Sequence, residues 1–436
     1  MASTYLTRAM GSVNEQQFTW SFWVKRGKLG VEQHLVGNFV NGGNRTHVFF
    51  DSTDTLRMYS ELGNSIVIQY ETNRKFRDVS AWYHIVIAIN TTQAGGNRIR
   101  FYVNGEEETS FKQEIECNQN TNLSIRATHY IGTYGGDAGN ASYTLDGSLS
   151  HLHFVDGTQL TPSTFGQADA NGVWTIKTSP SVTYGSQGFF ILKDGNSVTD
   201  QSGNGNNFTV AGGTLTNTED NPSNVFATFN SLWIQRLNNV QPAFSNGNLT
   251  AIFDNSGTNE QGVSTLAVSS GKWYAEIKWD SATANTATNT GIFPVDYFGG
   301  DPFPSAYIYL ADGTIRSKNS ASSYGDSYTT GDIIGIALDL DNNKLYFSKN
   351  GTWQNSGDPT SGATGTGAIS IIADTYYMYC SDYASSGNRQ ASANFGNGYF
   401  GTTAVASAGT NASGIGIFEY DVPTGYTALS TKGLNL

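Results

Sequence analysis

The sequence predicts an all-β protein with two antiparallel β-sandwiches of the jelly-roll type, joined by a loop-rich connector. Three observations lead to this class. Apolar and polar residues alternate in run after run, whereas segments with the 3.6-residue period of a helix are nearly absent. Turn signals such as Asn104-Gly105 and Asn350-Gly351 separate the runs. The 436 residues are 38% hydrophobic and 13% aromatic, which supplies apolar area for two cores and argues against disorder.

The N-terminal third contains the clearest strands. Residues 18–24 alternate, with Phe, Trp, Phe and Val on one face. Residues 83–89 are apolar on both faces, as expected for a central strand that is covered on both sides. Residues 98–103 alternate again and lead into the turn at Asn104-Gly105.

Strands resume in the second half of the chain. Residues 272–279 alternate, with Trp273 and Trp279 among the inward-facing residues. An Asp-Asn-Asn-Lys turn joins residues 333–340 to residues 345–348. Between the two halves, the strand pattern thins into stretches rich in Gly, Asn and Pro. We therefore divide the chain into a first jelly roll (1–157), a loop-rich connector (158–232), a second sandwich (233–400) and a C-terminal tail (401–436).

Charge and cysteine content narrow the function classes. The net charge of −12 and the absence of basic runs argue against nucleic-acid binding. The N-terminus lacks the apolar core of a signal peptide, and no stretch reaches the roughly 18 to 20 apolar residues of a membrane span. We expect a protein without membrane insertion that stays in the compartment where it is made. Cys117 and Cys380 lie far apart and are expected to be free thiols.

Several motifs resemble known families. Residues 18–24, the strand opening Trp82-Tyr83, the hairpin at 101–105 and residues 145–157 together resemble a laminin-G or concanavalin-A-like jelly roll, over most of residues 1–157.

The second half is similar to a SPRY (B30.2-type) sandwich. Residues 271–277, 331–340 and 344–351 carry that likeness, and the last two segments are the more specific.

Both modules on one chain, with segments 160–165 and 220–228 between them, resemble virion proteins of tailed bacteriophages. This resemblance implies a virion location after assembly in the host cytoplasm, with other virion proteins as partners and a host-surface glycan or protein as ligand. It also implies self-association, because such appendages sit on symmetric sites. No cofactor is expected, although laminin-G-like modules allow a structural calcium ion.

Glycoside hydrolysis is one activity that the fold class allows. Glycoside hydrolases need two carboxylates that flank the glycosidic bond. Glu276 and Asp280 share one strand face, but they lack the interleaved Glu-x-Asp-x-x-Glu pattern of glucanases with this fold. The cluster at residues 106–108 follows a hairpin turn, where solvated charges are usual.

Metal binding has equally little support in the sequence. His151 and His153 lie two apart on a predicted strand, but no third ligand is placed beside them. Asp339 begins a stretch similar to a calcium loop, yet Lys344 and Asn350 replace the Gly and Glu that such a loop requires.

What remains is a loop surface rich in aromatic and amide side chains, which suits saccharide or protein recognition. Each ring has an alternative role as a plug at the end of its own sandwich. Because Trp353 closely follows the turn at Asn350-Gly351, we expect it on an exposed loop, where its loss would hardly change stability. The candidate ligand-binding residues are Tyr134, Asp137 and Asn140 in the first module, and Tyr297, Phe298, Tyr324, Tyr328 and Trp353 in the second.

The sequence therefore predicts a non-enzymatic virion protein, displayed as a tail or capsid appendage that binds a host-surface glycan or protein. One alternative is a purely structural protein that only packs against other virion proteins. The other is a polysaccharide depolymerase.

Overall fold

The computed structural model describes residues 3–193, 198–234, 240–254, 257–296, 306–318 and 320–435. Strands account for 46% of the chain and helices for 4%, so the predicted all-β class is confirmed. The chain splits into two compact units, Met1–Asn217 and Thr218–Leu436. None of the helices in these described ranges has the length and hydrophobicity to cross a membrane.

The first unit is a sandwich of two antiparallel sheets. Its strands are β1 (Tyr5–Ala9), β2 (Gln17–Arg26), β3 (Gln33–Asn41), β4 (Asn44–Phe50), β5 (Thr55–Leu62), β6 (Ser65–Lys75), β7 (Trp82–Asn90), β8 (Ile99–Val103), β9 (Glu106–Glu108), β10 (Phe111–Ile115), β11 (Thr128–Ile131), β12 (Gly147–Asp156), β13 (Gly166–Ala168), β14 (Trp174–Ile176), β15 (Phe189–Ile191) and β16 (Thr209–Gly212). The eight-stranded sheet has the order β10-β6-β5-β4-β3-β11-β1-β16, and the six-stranded sheet has the order β15-β12-β2-β7-β8-β9. Two short 3₁₀ helices (Gly135–Asp137 and Pro162–Thr164) and the β13-β14 hairpin complete the unit.

Side-chain alternation places one face of each sheet in a shared core. Phe18 and Trp20 of β2 are fully buried there, together with Ile87 of β7. Val86 and Ala88 point to the opposite face of β7, where a second apolar layer covers them. The prediction of a central strand covered on both sides is confirmed.

That second layer comes from the segment predicted as a connector. Phe165 and Phe190 lie in it, β15 pairs with β12, and β16 pairs with β1. Residues 158–217 thus belong to the first unit and residues 218–232 to the second, which differs from the predicted connector at 158–232. Phe165 lies outside the strands and Phe190 lies on a strand of only three residues, so the sequence pattern was too short to show where they pack.

The second unit is also a sandwich of two sheets. Its strands are β17 (Ala243–Ser245), β18 (Thr250–Phe253), β19 (Glu260–Val268), β20 (Lys272–Ser281), β21 (Asn289–Pro294), β22 (Tyr307–Leu310), β23 (Thr314–Ser317), β24 (Ser320–Ser323), β25 (Ile333–Asp339), β26 (Lys344–Lys349), β27 (Thr352–Trp353), β28 (Ile369–Ser370), β29 (Tyr376–Asp382), β30 (Arg389–Asn394), β31 (Tyr399–Phe400), β32 (Thr403–Ala404) and β33 (Thr427–Ala428). One sheet has the order β17-β18-β30-β20-β25-β26-β27, with β28 beside β26 and β33 parallel to β20. The other has the order β19-β29-β21-β22-β23-β24. Two 3₁₀ helices (Gln354–Ser356 and Pro359–Thr364) follow β27, a third (Gly433–Asn435) follows β33, and β31 and β32 form a separate hairpin.

The inward face predicted for residues 272–279 is confirmed, since Trp273 and Trp279 lie in the core of this unit. The predicted turn at 341–344 joins β25 to β26. The predicted tail at 401–436 is an integral layer: Phe418 and Tyr426 are buried against the outer face of the β20 sheet.

Both cysteines are buried and free, which confirms the prediction of two unpaired thiols. Burial raises the pKa of the Cys117 thiol to about 11, and it raises the pKa of the Cys380 thiol further. Both groups are therefore protonated and unreactive at neutral pH.

Buried titratable groups differ in kind between the two units. All six histidines lie in the first unit. Burial lowers the pKa of His84 and of His129 to about 3, because a charged imidazole would lose its hydration. In the second unit, burial raises the pKa of Glu260 and of Glu276 to about 7.

These shifts predict opposite responses of the two units to acid. Between pH 7 and 5, histidines in the unfolded chain bind protons that buried neutral histidines cannot bind, so the first unit loses stability, on the order of 2 kcal/mol per fully buried histidine. In the same interval, the folded second unit binds protons on Glu260 and Glu276 before its unfolded chain does, so it gains stability. Calorimetry of the full chain from pH 7 to 5 should show the first unit's transition falling and the second unit's rising.

The transitions can be assigned with core variants, Ile87→Ala in the first unit and Ile277→Ala in the second. Movement of both transitions in the same direction would contradict the assignment of these titrations.

Candidate functional site

The outer face of the eight-stranded sheet carries polar and aromatic side chains on adjacent strands. In the register of β4 and β5, Arg45 lies opposite Glu61 and His47 lies opposite Tyr59. Thr46, Val48 and Phe50 alternate with the outward residues of β4 and are buried on the inner side. The strand period therefore produces a charged and aromatic surface directly behind the core.

A loop at residues 132–145 folds over this surface. Its ends are closed by a hydrogen bond from the Leu145 amide to the Gly132 carbonyl, 2.9 Å, and the His34 amide of β3 donates to the Tyr143 carbonyl at 3.0 Å. Inside the loop, the Asn140 side-chain amide donates to the Asp137 carboxylate at 2.6 Å. These bonds close the loop and tie it to β3.

Tyr134 is the centre of the ring contacts. Its ring lies 5.0 Å from His34, 5.6 Å from Phe39, 5.5 Å from His47 and 5.7 Å from Tyr143, measured between centroids. Its hydroxyl accepts a hydrogen bond from the Arg45 guanidinium. Most of these contacts are edge-to-face or tilted, the geometry that aromatic quadrupoles favour.

Arg45 links the rings to the charges of the site. Its guanidinium carbon lies 5.3 Å from the Tyr59 ring and 5.7 Å from the Tyr134 ring. Its Nε lies 2.9 Å from a carboxylate oxygen of Glu61, and the Tyr59 hydroxyl donates to the same carboxylate at 2.6 Å. Two tyrosines and one carboxylate thus hold a partly exposed cation in place.

Two histidines form the floor of the site. Burial lowers the pKa of His34 and, more strongly, that of His47, and the neighbouring positive charge of Arg45 acts in the same direction. At neutral pH both rings are therefore neutral. His34 Nε2 lies 2.8 Å from the Glu32 carboxylate, which can only accept, so this nitrogen donates.

We call this region the Tyr134 face. Its partly exposed or exposed residues are Phe39, Arg45, Tyr59, Glu61, Tyr134, Asp137, Asn140 and Tyr143, above the buried His34, His47 and Phe49. The structure brings together all three residues predicted for the first module, because Tyr134, Asp137 and Asn140 lie in one loop. The β-strand residues of the face were not predicted, although the outward alternation of residues 45–49 and 57–61 was visible in the sequence.

The second module does not present its predicted residues in the same way. Tyr328 is 0% exposed and Tyr324 is 8% exposed, and both belong to the core. Their hydroxyls are bonded inside: Tyr328 donates to the Tyr309 carbonyl at 2.8 Å, and Tyr324 accepts from the Phe347 amide at 3.1 Å. The prediction of exposed binding rings is wrong for these two tyrosines. Tyr297 and Phe298 lie outside the described residues.

Trp353 has an intermediate position. It is half-buried, pairs with Ser348 in the β26-β27 hairpin, and lies edge-on to Tyr274 with 6.4 Å between the ring centroids. The ring therefore packs on the outer layer of the β20 sheet, and the prediction of a freely exposed loop residue is corrected.

Glu276, the carboxylate considered for hydrolysis, is 0% exposed. It accepts hydrogen bonds from the backbone amides of Glu419 and Tyr420, both 2.9 Å, and from the side chains of Tyr274 and Asn394 at 3.1 and 3.2 Å. Its carboxylate fastens the C-terminal segment to β20, and no substrate oxygen has access to it.

A serine–histidine contact in the first unit is also structural. The Trp174 indole N–H can only donate, and it bonds to His84 Nδ1 at 2.9 Å. The proton of His84 therefore sits on Nε2, which donates to Ser21 Oγ at 2.9 Å. In this tautomer the imidazole cannot accept the serine proton, so the pair lacks the arrangement of an activated nucleophile.

The histidine pair of β12 is likewise enclosed. His151 and His153 are each 2% exposed, and His153 stacks on Phe190 and contacts the Tyr184 hydroxyl at 2.8 Å. Asp339, the start of the calcium-like stretch, is 0% exposed and lies 3.0 Å from Lys272. Within the described part of the chain, no group of three or more His, Cys, Asp or Glu residues is placed to hold a metal ion.

Comparison with known families agrees with the two folds. Residues 1–164 match the Laminin_G_3 family model, described as the concanavalin A-like lectin/glucanases superfamily, and residues 272–371 match the SPRY domain model. The chain therefore contains a concanavalin A-like lectin domain followed by a SPRY domain. Such domains suggest carbohydrate or protein binding. No curated protein shows significant similarity to the chain.

Similar solved structures each cover about a third of the chain. The SPRY domain of human HERC1 is 18% identical, with 33% of this chain and 87% of that chain covered and a TM-score of 0.27. The heptameric SAP-like pentraxin from Limulus polyphemus is 17% identical, with 36% and 72% covered and a TM-score of 0.29. Domain 4 of AbnA, a GH43 extracellular arabinanase from Geobacillus stearothermophilus in complex with arabinotriose, is 17% identical, with 36% and 66% covered and a TM-score of 0.26.

The position of Trp353 generates a stability prediction. We expect Trp353→Ala to lower the free energy of unfolding of the second unit by about 1 to 2 kcal/mol, less than the 3 to 5 kcal/mol typical of a fully buried tryptophan. Thermal unfolding would measure it, with Thr352→Ala at the exposed neighbouring position as control, for which a change below about 0.5 kcal/mol is expected. If Trp353→Ala were as stable as the control, the packing of this ring on the β20 sheet would be contradicted.

Proposed function

We propose that this chain is a non-enzymatic binding protein that attaches to glycans through the Tyr134 face. The observation that carries the proposal is a set of partly exposed tyrosine rings on the lectin-type domain: Tyr59 and Tyr134 lie beside Arg45, and Tyr143 packs against Tyr134. Ring faces supply stacking area for the apolar faces of sugars, and the nearby carboxylate and amide groups supply hydrogen bonds to hydroxyls.

Preorganisation favours binding at this face. The loop that carries Tyr134 is closed by backbone hydrogen bonds, and the Tyr134 hydroxyl and ring are fixed by Arg45 and His47. Side chains already ordered in the free protein lose little conformational entropy when a ligand binds. Little of the free energy of the stacking contacts is therefore spent on ordering the side chains of the site.

The carboxylates considered for hydrolysis are buried or ion-paired, which supports binding over hydrolysis. Glu276 is covered by the C-terminal segment. In the cluster at 106–108, Glu108 is 7% exposed and its carboxylate lies 2.7 Å from Arg74, while Glu107 lies 2.6 Å from Arg100. Each of these three carboxylates has a structural partner.

For the biological setting, we keep the proposal that the resemblance to tailed-phage virion proteins implies. We place the chain on the virion as a tail or capsid appendage, self-associated, in contact with other virion proteins, and facing a glycan or protein of the host surface. A second unit that only packs against other virion proteins is compatible with this arrangement, since glycan binding requires the first unit alone.

A glycan array probed with the full chain tests the binding role. We expect Tyr134→Ala to weaken binding by about 30-fold, the loss typical of a central aromatic contact of roughly 2 kcal/mol. Tyr134→Phe keeps the ring and loses only the bond from Arg45, so its loss should be smaller. Tyr377→Ala, which removes a half-buried ring from the second unit, is the matched control.

The same variants can be used in competition with phage for host cells. Unchanged binding in Tyr134→Ala, with unchanged thermal stability, would refute the site. Attachment to cells that is lost only in variants of the second unit would favour protein recognition there.

Hydrolysis has its own test. We expect the chain to release no reducing sugar from host polysaccharide, and we expect Glu276→Gln to lower the stability of the second unit by about 1 to 3 kcal/mol, because an amide NH₂ would then face a backbone N–H. Reducing-end assays and thermal unfolding measure the two effects. Sugar release by the wild-type chain that disappears in Glu276→Gln would establish the depolymerase instead.

A further inference from the structure

Each of three cations on or beside the Tyr134 face lies within 4 Å of a carboxylate, and two of them share Glu71. Arg45 lies 2.9 Å from Glu61, while Arg57 on the same face of β5 lies 3.8 Å from Glu71. Lys112 of β10 lies 2.7 Å from the same Glu71 carboxylate. An acidic sugar would have to compete with a protein carboxylate for each of these three cations.

The two histidines add no positive charge at neutral pH. His34 is 2% exposed and donates to Glu32, and His47 is 7% exposed beneath the tyrosines. Their lowered pKa values keep both rings neutral. They form an uncharged floor and do not attract anions.

Two carboxylates at the rim are exposed to solvent and are not paired with Lys or Arg in the ion pairs above. Asp137 is exposed at the tip of the loop and is bonded to the neutral Asn140, and the Glu32 side chain is 40% exposed. Residues 1–217 contain 15 Lys and Arg against 18 Asp and Glu, a net charge of −3. Carboxylates accept hydrogen bonds from hydroxyl groups and repel other anions.

We propose that the Tyr134 face binds neutral glycans and rejects glycans that carry carboxylate or sulfate groups. This inference rests on the proposed glycan-binding function and adds the ligand class. Tyrosine rings would stack on the sugar faces, carboxylate oxygens would accept from sugar hydroxyls, and the paired cations would offer little to an acidic residue. Binding should therefore depend only weakly on salt, since no net charge is neutralised.

The experiment uses the full chain and matched probes. Oligosaccharides of glucose, galactose, mannose and N-acetylglucosamine are each paired with the derivative in which C6 is oxidised to a carboxylate. We expect the neutral member of the bound pair to bind at least about tenfold more tightly than its acidic partner, because like charges at the rim oppose binding. We expect less than about a twofold change in its affinity between 50 and 500 mM NaCl.

A charge variant tests the cause of the discrimination. Asp137→Asn keeps an oxygen at the loop tip but removes its charge, and we expect it to reduce the preference for the neutral sugar by about three- to tenfold. Asp169→Asn, which removes an exposed carboxylate in the β13-β14 hairpin, should leave the preference as in the wild type.

The outcomes separate the two proposals. Tyr134-dependent binding confined to the oxidised sugars, or a steep fall in affinity with salt, would overturn this inference and leave the glycan-binding function standing. Absence of Tyr134-dependent binding to both members of every pair would overturn the proposed function as well. Binding of neutral sugars with an unaltered preference in Asp137→Asn would also overturn the inference, because the rim charge would then play no part.

Discussion

A strand presents alternate side chains to two faces, and only one of those faces can enter the core that the two sheets share. In both units, the chain outside the main strands covers the other face. Phe165 and Phe190 cover β7 in the first unit, and Phe418 and Tyr426 cover β20 in the second. The Tyr134 face differs because its cover is a short loop of tyrosine and glycine, which leaves the rings partly exposed.

This incomplete cover makes the face suitable for binding. His47 is buried and stacks on Tyr59 with 5.5 Å between the ring centroids, so the lower layer is packed like a core. Tyr134 sits above it, held by Arg45 and still reachable by solvent. A surface of this kind combines the rigidity of a packed sheet with exposed apolar area. Both properties favour the binding of a ligand that makes only weak contacts.

The sequence predicted the strands well because a half-buried strand has a regular period, as in residues 18–24 and 272–279. It did not predict what covers the sheets, since Phe165 and Phe418 lie on irregular backbone with no period to read. It also could not decide in which direction a loop tyrosine points. Tyr134 and Tyr328 both lie near glycine, yet one turns towards solvent and the other bonds its hydroxyl to the Tyr309 carbonyl inside the core. That choice depends on partners distant in the sequence.

A carboxyl group with a pKa near neutral pH is present in this molecule, but a substrate cannot reach it. A general acid needs a pKa near the working pH and contact with its substrate. Glu276 meets the first requirement, with its pKa raised to about 7 by burial, but four hydrogen bonds within the protein enclose it. The Tyr134 face is accessible, but its histidines are held neutral and its carboxylates are bonded to Arg45 and Asn140. The accessible groups of the Tyr134 face are thus not arranged for proton transfer, which supports the proposed role of this face in recognition.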